Sequence, residues 1–417
     1  MQECREYDLG ELLEYEQPTA YIVESTDYDD SYPTPVLTAG KSFILGYTKE
    51  TDGVFNNLPV IIFDDFTTAT QYVNFPFKVK SSAMKILHAN TNLVLPKYIY
   101  YRMQIIQFDH STHKRYWIQQ YSKIKVCIPP IPEQERIVAK IEELFSQLDA
   151  GVDTLKKTKA QLAVYRQAVL KEAFEGRLTF GWRMEHSDCS PIQDYKAIAI
   201  KDSVYRDVSG DEKEIHLTLP DTWIKLRMGD VFPVEVGATP SRRVPEYWNG
   251  SINWVSSGEV RFNHIFQTDE KITEEGLENS STNVHPIGTV MLAMIGEGKT
   301  RGQAAILQIP AAHNQNTAAI LVSTTPCDPK YIYYFLLMNY ENTRRVGSGN
   351  NQKALNKERV RALRFPFTSF AEQHMIVEAI ESRLSVCDSI AQTVDAALQQ
   401  AEAMRQSILK QAFEGKL

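Results

Sequence analysis

The stretch EQERIVAKIEELFSQLDAGVDTLKKTKAQLAVYRQAVLKEAFEGRL, from Glu133 to Leu178, recurs without a gap as EQHMIVEAIESRLSVCDSIAQTVDAALQQAEAMRQSILKQAFEGKL, from Glu372 to Leu417. About 19 of the 46 paired positions are identical, at a constant offset of 239 residues (372 minus 133). No other feature limits the fold as tightly, because two equal segments must each find equivalent surroundings. The repeat cuts the chain into two halves, each a variable region followed by a conserved segment.

Both copies read as long helices. Ile141, Leu148, Leu155, Leu162 and Val169 fall seven residues apart, with Ile137, Leu144 and Tyr165 between them. The second row is Ile380, Cys387, Val394, Ala401 and Ile408. Apolar residues at heptad spacing with charges between them form a coiled-coil seam, and two matched copies predict that the helices pair. Pro132 stands just ahead of the first helix, where a missing N–H costs nothing. Gly176 and Gly415 stand where a left-handed residue ends a helix. About 38 helical residues at ~1.5 Å each make a rod of roughly 57 Å.

At 417 residues, 43% apolar and 23% charged, the chain has room for two to three ordinary globular domains. Cys4, Cys127, Cys189, Cys327 and Cys387 are scattered without a CxxC pair, which favours a reducing compartment over a disulfide framework or zinc site. The N-terminus MQECREYDLG has no apolar signal core, and no run of apolar residues is long enough for a membrane span. A cytoplasmic location is expected. The net charge of −7 is unevenly spread. Residues 1–30 hold one basic side chain against ten acids, whereas residues 31–132 hold eleven against five. Positive charge therefore gathers in the variable regions, a distribution that permits DNA contact.

Short strands and turns are expected from Tyr32 onward, in YPTPVLTAGKSFILGYT, NLPVIIFDDF and SAMKIL, then a short helix in PKYIYYRMQII and a polar, aromatic stretch at 109–121. After Leu178 an unpatterned connector crosses to the second half. There PKYIYY recurs verbatim at 329–334, and GTVMLAMIG takes the role of NLPVIIFDD. The expected division is 1–130, a first variable domain; 131–178, a first long helix; 179–215, a linker; 216–368, a second variable domain; and 369–417, a second long helix.

AMIGEGKT (293–300) imitates a phosphate-binding loop, and VIIFDD (60–65) its acidic partner strand. A genuine loop of that kind runs from a strand into a helix, but here the strand-like RGQAAILQI follows. Nucleotide hydrolysis is not expected. No NPP[FY] or DPP[FY] tetrapeptide is present to hold a flipped adenine, so the chain is not expected to methylate by itself and has no catalytic residue to nominate.

Matched basic, amide-rich loops carry the binding chemistry. In the second half these are GATPSRRVPEYWNGSINWVSS, HNQNT, GSGNNQK and the AMIGEGKT turn, offering Thr239, Ser241, Arg242, Arg243, Trp248, Lys299, Arg301, Asn314, Gln315, Asn316, Asn350, Asn351, Gln352 and Lys353. The first-half counterparts TAGKS, DFTTATQY, KSSA and STHKRYW offer Thr38, Lys41, Thr67, Thr68, Gln71, Tyr72, Lys80, Ser81, Ser82, His113, Lys114 and Arg115. Arg pairs bidentately with guanine, and Asn or Gln with adenine. The competing class is a coiled-coil scaffold whose variable domains bind protein. It would show no salt-dependent DNA affinity.

The ordered set LPDTW, LRMGDV, GATPSRR, YWNGSINWVSS, NQNT, PKYIYY, FPF and EQ, with two EQ-started helices ending AFEG[KR]L, resembles the specificity subunit of Type I restriction-modification systems over essentially the whole length. The first half departs from the pattern, carrying YPTPVLTAGKSFILGYT in place of the GxTP…YWxG run. The resemblance implies an α+β fold: two α/β target-recognition domains separated by two long antiparallel coiled-coil helices. It implies a non-catalytic subunit that reads a bipartite, asymmetric double-stranded DNA target. Two methyltransferase subunits would methylate adenine at N6, and two restriction/translocase subunits would cut. This chain would bind no cofactor, whereas the partners would use S-adenosylmethionine, and ATP and Mg for restriction.

Overall fold

A computed structural model describes residues 4–38, 42–108, 115–198, 217–296, 298–345, 348–349, 351–352 and 355–417. The chain divides into two compact units, Met1–Thr158 with Thr393–Leu417, and Lys159–Gln392. Each unit thus combines one variable region, the start of the long helix that follows it, and the end of the other long helix.

In the first unit the strands are β1 (Arg5–Asp8), β2 (Leu13–Glu16), β3 (Thr34–Leu37), β4 (Ile44–Thr48), β5 (Val60–Asp64), β6 (Thr70–Val73), β7 (Lys78–Val79), β8 (Met84–Ala89) and β9 (Lys125–Ile128). They form an antiparallel sheet β2-β8-β5-β6, a smaller sheet β4-β3-β7 in which β3 and β7 run parallel, and the pair β1-β9. β5 is apolar from Val60 to Phe63 and buried throughout because it is central and covered on both faces. Ile61 and Phe63 face the core under the helix Pro96–Met103, whereas Val60 and Ile62 face Phe55 and Phe77.

The second unit contains β10 (Ile224–Arg227), β11 (Val234–Val236), β12 (Trp248–Val255), β13 (Asn263–Ile265), β14 (Glu270–Ile272), β15 (Val290–Ala293), β16 (Ala304–Leu307), β17 (Ala312–His313), β18 (Thr317–Ile320), β19 (Ser348–Gly349), β20 (Asn351–Gln352) and β21 (Arg364–Phe367). Its sheets are β11-β18-β15-β16-β13, β14-β12-β17 with β12 and β17 parallel, and β10-β21. Apart from the added β13 and the β19-β20 pair, the described strands repeat the topology of the first unit. The first half departs in loop sequence but not in fold. β15 and β16 are antiparallel neighbours, so AMIGEGKT is a hairpin connection and has no helix to face a phosphate.

The two docked helices explain why the repeat keeps its residues. Gln134 is fully buried; its side chain accepts from Leu95 N–H at 2.8 Å and donates to the carbonyls of Leu93 and Pro129 at 3.0 and 2.8 Å. Gln373, equally buried, accepts from Asp328 N–H at 3.3 Å and donates to the Thr368 carbonyl at 3.0 Å. The EQ motif is therefore a polar fastener, closing backbone groups that burial would otherwise leave unpaired. Lys97 pairs with Glu142, and Lys330 with Glu381, equivalent residues in each case. Phe413 packs edge-on against Tyr98 at 5.3 Å in the first unit, and Phe174 packs tilted against Tyr331 at 5.1 Å in the second. This gives PKYIYY and AFEG their common purpose.

Pairing is antiparallel within each unit. Arg405 meets Asp149, and Arg136 donates to the Leu417 carbonyl at 3.1 Å, so one helix retreats as the other advances. In the second unit Arg166 meets Asp388. These are the same ion pair written twice, since Arg405 and Asp388 are the repeat partners of Arg166 and Asp149. All ten seven-spaced residues are buried or half-buried, but Tyr165 is 49% exposed and stands off the seam.

Several expectations need correction. The helices run Ile131–Phe174 and Phe370–Phe413, 44 residues each, or about 66 Å of helix at ~1.5 Å per residue. Pro132 lies inside the first turn instead of before it. The connector is helical at Phe180–Glu185 and Pro191–Ile198. It is tied to the second unit by Arg183 on Glu372 and by Asp194, which accepts from Phe370 N–H at 2.9 Å. Cys4 and Cys127, far apart in sequence, are brought side by side with Cα atoms 5.7 Å apart. No helix among the described residues is long and apolar enough to cross a membrane.

Candidate nucleic-acid interface

Backbone hydrogen bonds gather the first-half loops at one end of their domain. Lys80 N–H donates to Leu37 O at 2.8 Å, joining the KSSA turn to the end of β3. Asp65 N–H donates to Ala83 O at 3.4 Å, and Tyr116 N–H to Asp65 O at 3.0 Å. The second domain repeats the set. Asn314 N–H donates to Val255 O at 3.0 Å, Met294 N–H to Asn316 O at 2.9 Å, and Leu355 N–H to Met294 O at 3.1 Å. The loops singled out in the sequence are thus held by the same three bonds in both domains.

Lys80, Ser81 and Ser82 are exposed in the KSSA turn, with Lys80 Nζ 5.7 Å from the Tyr28 ring centre. Thr67 and Thr68 lie in the turn after β5, where Asp64 accepts from Phe66 N–H at 2.9 Å and from the Thr67 hydroxyl at 2.8 Å; Thr68 has φ 57°. Thr38 leads out of β3, its N–H on Phe43 O. Gln71 is exposed on β6, but Tyr72 turns toward the helix Pro96–Met103, 5.8 Å from the Tyr100 ring, and away from the loop cluster. Arg115 is exposed beside Tyr116 and Trp117, which are core residues at 1% exposure. Lys41, His113, Lys114, Asn350 and Lys353 lie outside the described residues. Asn351 and Gln352 form β20, paired with β19.

In the second domain Gly237 permits the closest approach. A Cβ there would fall 1.9 Å from His313 O, so the GATPSRR loop can lie on the HNQNT turn only with glycine at this position. Ala238 N–H then donates to that carbonyl at 3.0 Å, and the Thr239 hydroxyl to Gln315 Oε1 at 2.6 Å. Arg242 stacks 3.7 Å from the Trp248 ring centre and forks onto Glu270, whose carboxyl this bond holds below its usual pKa. Two of its N–H groups are taken by Glu270, and the side chain itself remains exposed. Ser241 and Arg243 are exposed beside it. Asn314 is buried and closes its own turn, accepting from Asn316 N–H at 3.0 Å, which leaves Gln315 exposed and Asn316 half-buried. Lys299 is exposed on the hairpin connection, and Arg301 is half-buried.

This duplicated loop platform agrees with what the chain is similar to. The model of the Type I restriction modification DNA specificity domain matches residues 1–163 and 220–400. The chain belongs to that family. It is 32% identical to the EcoR124I/EcoR124II specificity subunit of Escherichia coli over 393 residues, which covers 92% of this chain and 87% of the relative. Identity to the EcoBI specificity subunit, also from Escherichia coli, is 26% over 70% of this chain and 58% of that one. A solved chain from a study of type I restriction-modification complex assembly and conformational transition shares the fold, with a TM-score of 0.67, 15% identity and coverage of 99% and 98%. The specificity chain is a DNA-recognition subunit and not itself a catalyst.

Sequence reasoning missed the residues that support the loops. Glu270 lies 28 residues from Arg242, and His285 lies 28 residues from His313, whose Nε2 it meets at 3.1 Å. Only the pairing of β12 with β14, and the bridge of His285 to Ala311, brings them together. Burial, then the neighbouring His285, drives the His313 pKa down to about 3, and burial lowers that of His285. Phe55 and Val79 occupy these two places in the first domain, by the equivalent bridge Phe55–Phe77. A composition mismatch between repeat partners, histidine against apolar, is the signal that could have found them.

Proposed function

We propose that each domain reads one half of a bipartite, asymmetric double-stranded DNA target, and that the chain thereby directs adenine-N6 methylation and restriction by partner subunits. The observation that carries this reading is the repeated platform. The same three backbone bonds hold two loop sets whose exposed residues differ, Lys80, Ser81, Ser82 and Arg115 in one and Ser241, Arg243, Lys299 and Gln315 in the other. One architecture with two side-chain sets suits two different half-sites. Phosphate contacts supply affinity, and base-edge contacts supply choice.

Two methyltransferase subunits and two restriction/translocase subunits complete the complex in this reading. The first would use S-adenosylmethionine on a flipped adenine, the second ATP and Mg. The long helices set the length of the unread spacer, and the assembly works in the cytoplasm. Single-molecule methylation sequencing of DNA from cells expressing this chain with a partner methyltransferase tests the proposal. N6-methyladenine at one bipartite motif with a fixed gap is expected. Methylation at a continuous site, or none while the methyltransferase works with another specificity subunit, refutes it.

A further inference from the structure

The two domains agree bond for bond beneath their loops, so a place where they differ in chemistry asks for a reason. Asp65 and Met294 are such a place. Each donates its N–H to the turn before the strand paired alongside, β8 or β18, and accepts from the segment leading to the long helix. Strand register supplies the second difference. Asp64 faces Met84, and Ala293 faces Thr317, so Lys85 stands where the second domain has Ala318. The first domain therefore holds a buried ion pair, Lys85 Nζ to Asp65 Oδ2 at 3.5 Å with side chains 1% and 3% exposed. The second domain fills the same two places with buried Met294 and Ala318.

The fold alone does not require this pair. Desolvating two charges is costly, and a well-packed apolar replacement is often as stable or more so. What the charges add is direction. The other Asp65 oxygen accepts from Trp117 N–H at 2.9 Å, and the Asp65 carbonyl from Tyr116 N–H at 3.0 Å. Lys85 Nζ also lies 5.5 Å from the Tyr15 ring centre. Asp65 thus joins the turn that bears Thr67 and Thr68 to the backbone that follows the exposed Arg115. A charge-assisted bond fixes such a junction more tightly than the adaptable thioether of a methionine.

We propose that the Asp65–Lys85 pair is the positioning element of the first domain's DNA-reading surface. It sets where Arg115 and the 66–68 turn stand against the base edges without touching DNA itself. The inference rests on the DNA-reading role proposed above.

The test compares the full chain, assembled with its methyltransferase, as wild type and as Lys85→Ala, Lys85→Arg, Lys85→Met and the double variant Asp65→Met/Lys85→Ala. Duplexes with single mismatches in either half-site measure discrimination. Lys85→Ala strands a buried carboxylate and is expected to lower the melting temperature. The double variant, carrying the second domain's residues, is expected to melt near wild type. Its discrimination is expected to fall about tenfold at one half-site only. Lys85→Arg retains discrimination, and Lys85→Met, which keeps the stem without the charge, loses it at the same half-site. The positioning role is overturned if the double variant, or Lys85→Met should the double not fold, discriminates at both half-sites as wild type does. Equal loss at both half-sites overturns it too. Wild type with no discrimination at either half-site overturns the DNA-reading role itself.

Discussion

Lowering the pH should weaken the second domain before the first, through His285 and His313. Both imidazoles are buried, at 3% and 0% exposure, and both pKa values are depressed. The folded state therefore binds fewer protons than the unfolded chain, whose histidines titrate near ~6.5. Their contribution is complete above that pH and is lost as the pH falls from it toward about 3, where His313 titrates when folded. At about pH 5 the unfolded His313 is protonated across roughly 1.5 pH units in which the folded one is not. At ~1.36 kcal/mol per unit this costs about 2 kcal/mol. His285 adds a loss of the same sign, opposed by Glu235 at 4.0 Å. Thr282, Thr317 and the Asn314 carbonyl, the other polar partners of His313, do not titrate. Urea titrations at about pH 7.5 and pH 5, read by pulsed hydrogen exchange of peptides from 217–345, measure the difference. His285→Phe/His313→Val installs the first domain's residues and should remove most of it. An equal acid loss in wild type and variant would refute the reasoning.

Gln134→Leu should destabilise the first unit, and Gln373→Leu the second, each by about 2–4 kcal/mol, because buried backbone groups lose their partners; urea unfolding with peptide-level exchange shows whether the loss stays in its own unit. Arg243→Ala should cost about 1–3 kcal/mol in binding and relax one base position, whereas Lys299→Ala should weaken all sequences alike and lower the salt slope by about one. Titrations with mismatched duplexes at several salt concentrations separate the two. Inserting one heptad in both long helices should lengthen the spacer in the methylated motif, and an unchanged spacer in methylation sequencing refutes the ruler.

The repeat, the seam and the loop sets could be read from the sequence because each depends on local spacing. Heptads mark Ile141 to Val169, and a repeated PKYIYY marks the helix that receives Phe413 or Phe174. The chemistry of partners could not be read. Nothing in GATPSRR shows that Arg242, and not Arg243, stacks on Trp248 and pairs with Glu270, since only the bulged register of β12 on β14 decides it. YPTPVL conceals its likeness to SINWVSS because the two strands share backbone partners and not side chains. Tyr116, Trp117 and Tyr121 looked like loop residues among polar neighbours, yet they close the first core. Core aromatics without periodicity are indistinguishable from surface ones until the sheet beneath them is known.

Because the first unit borrows its last helical segment from the far end of the chain, the order of synthesis and the order of completion are reversed. Residues 159–392 contain all of the second unit, which can close while the chain is still being made. The first core, whose members include Leu409 and Ala412 with Phe413 packed alongside, is incomplete until those residues have been made. Between Thr158 and Leu417 lie 259 residues (417 minus 158), or roughly 13–50 s of translation at ~5–20 residues per second. Through that interval Tyr98 lacks Phe413 and Phe145 lacks Arg405, the residues that pack on them in the finished unit. The domain made first is thus the last to receive its full core.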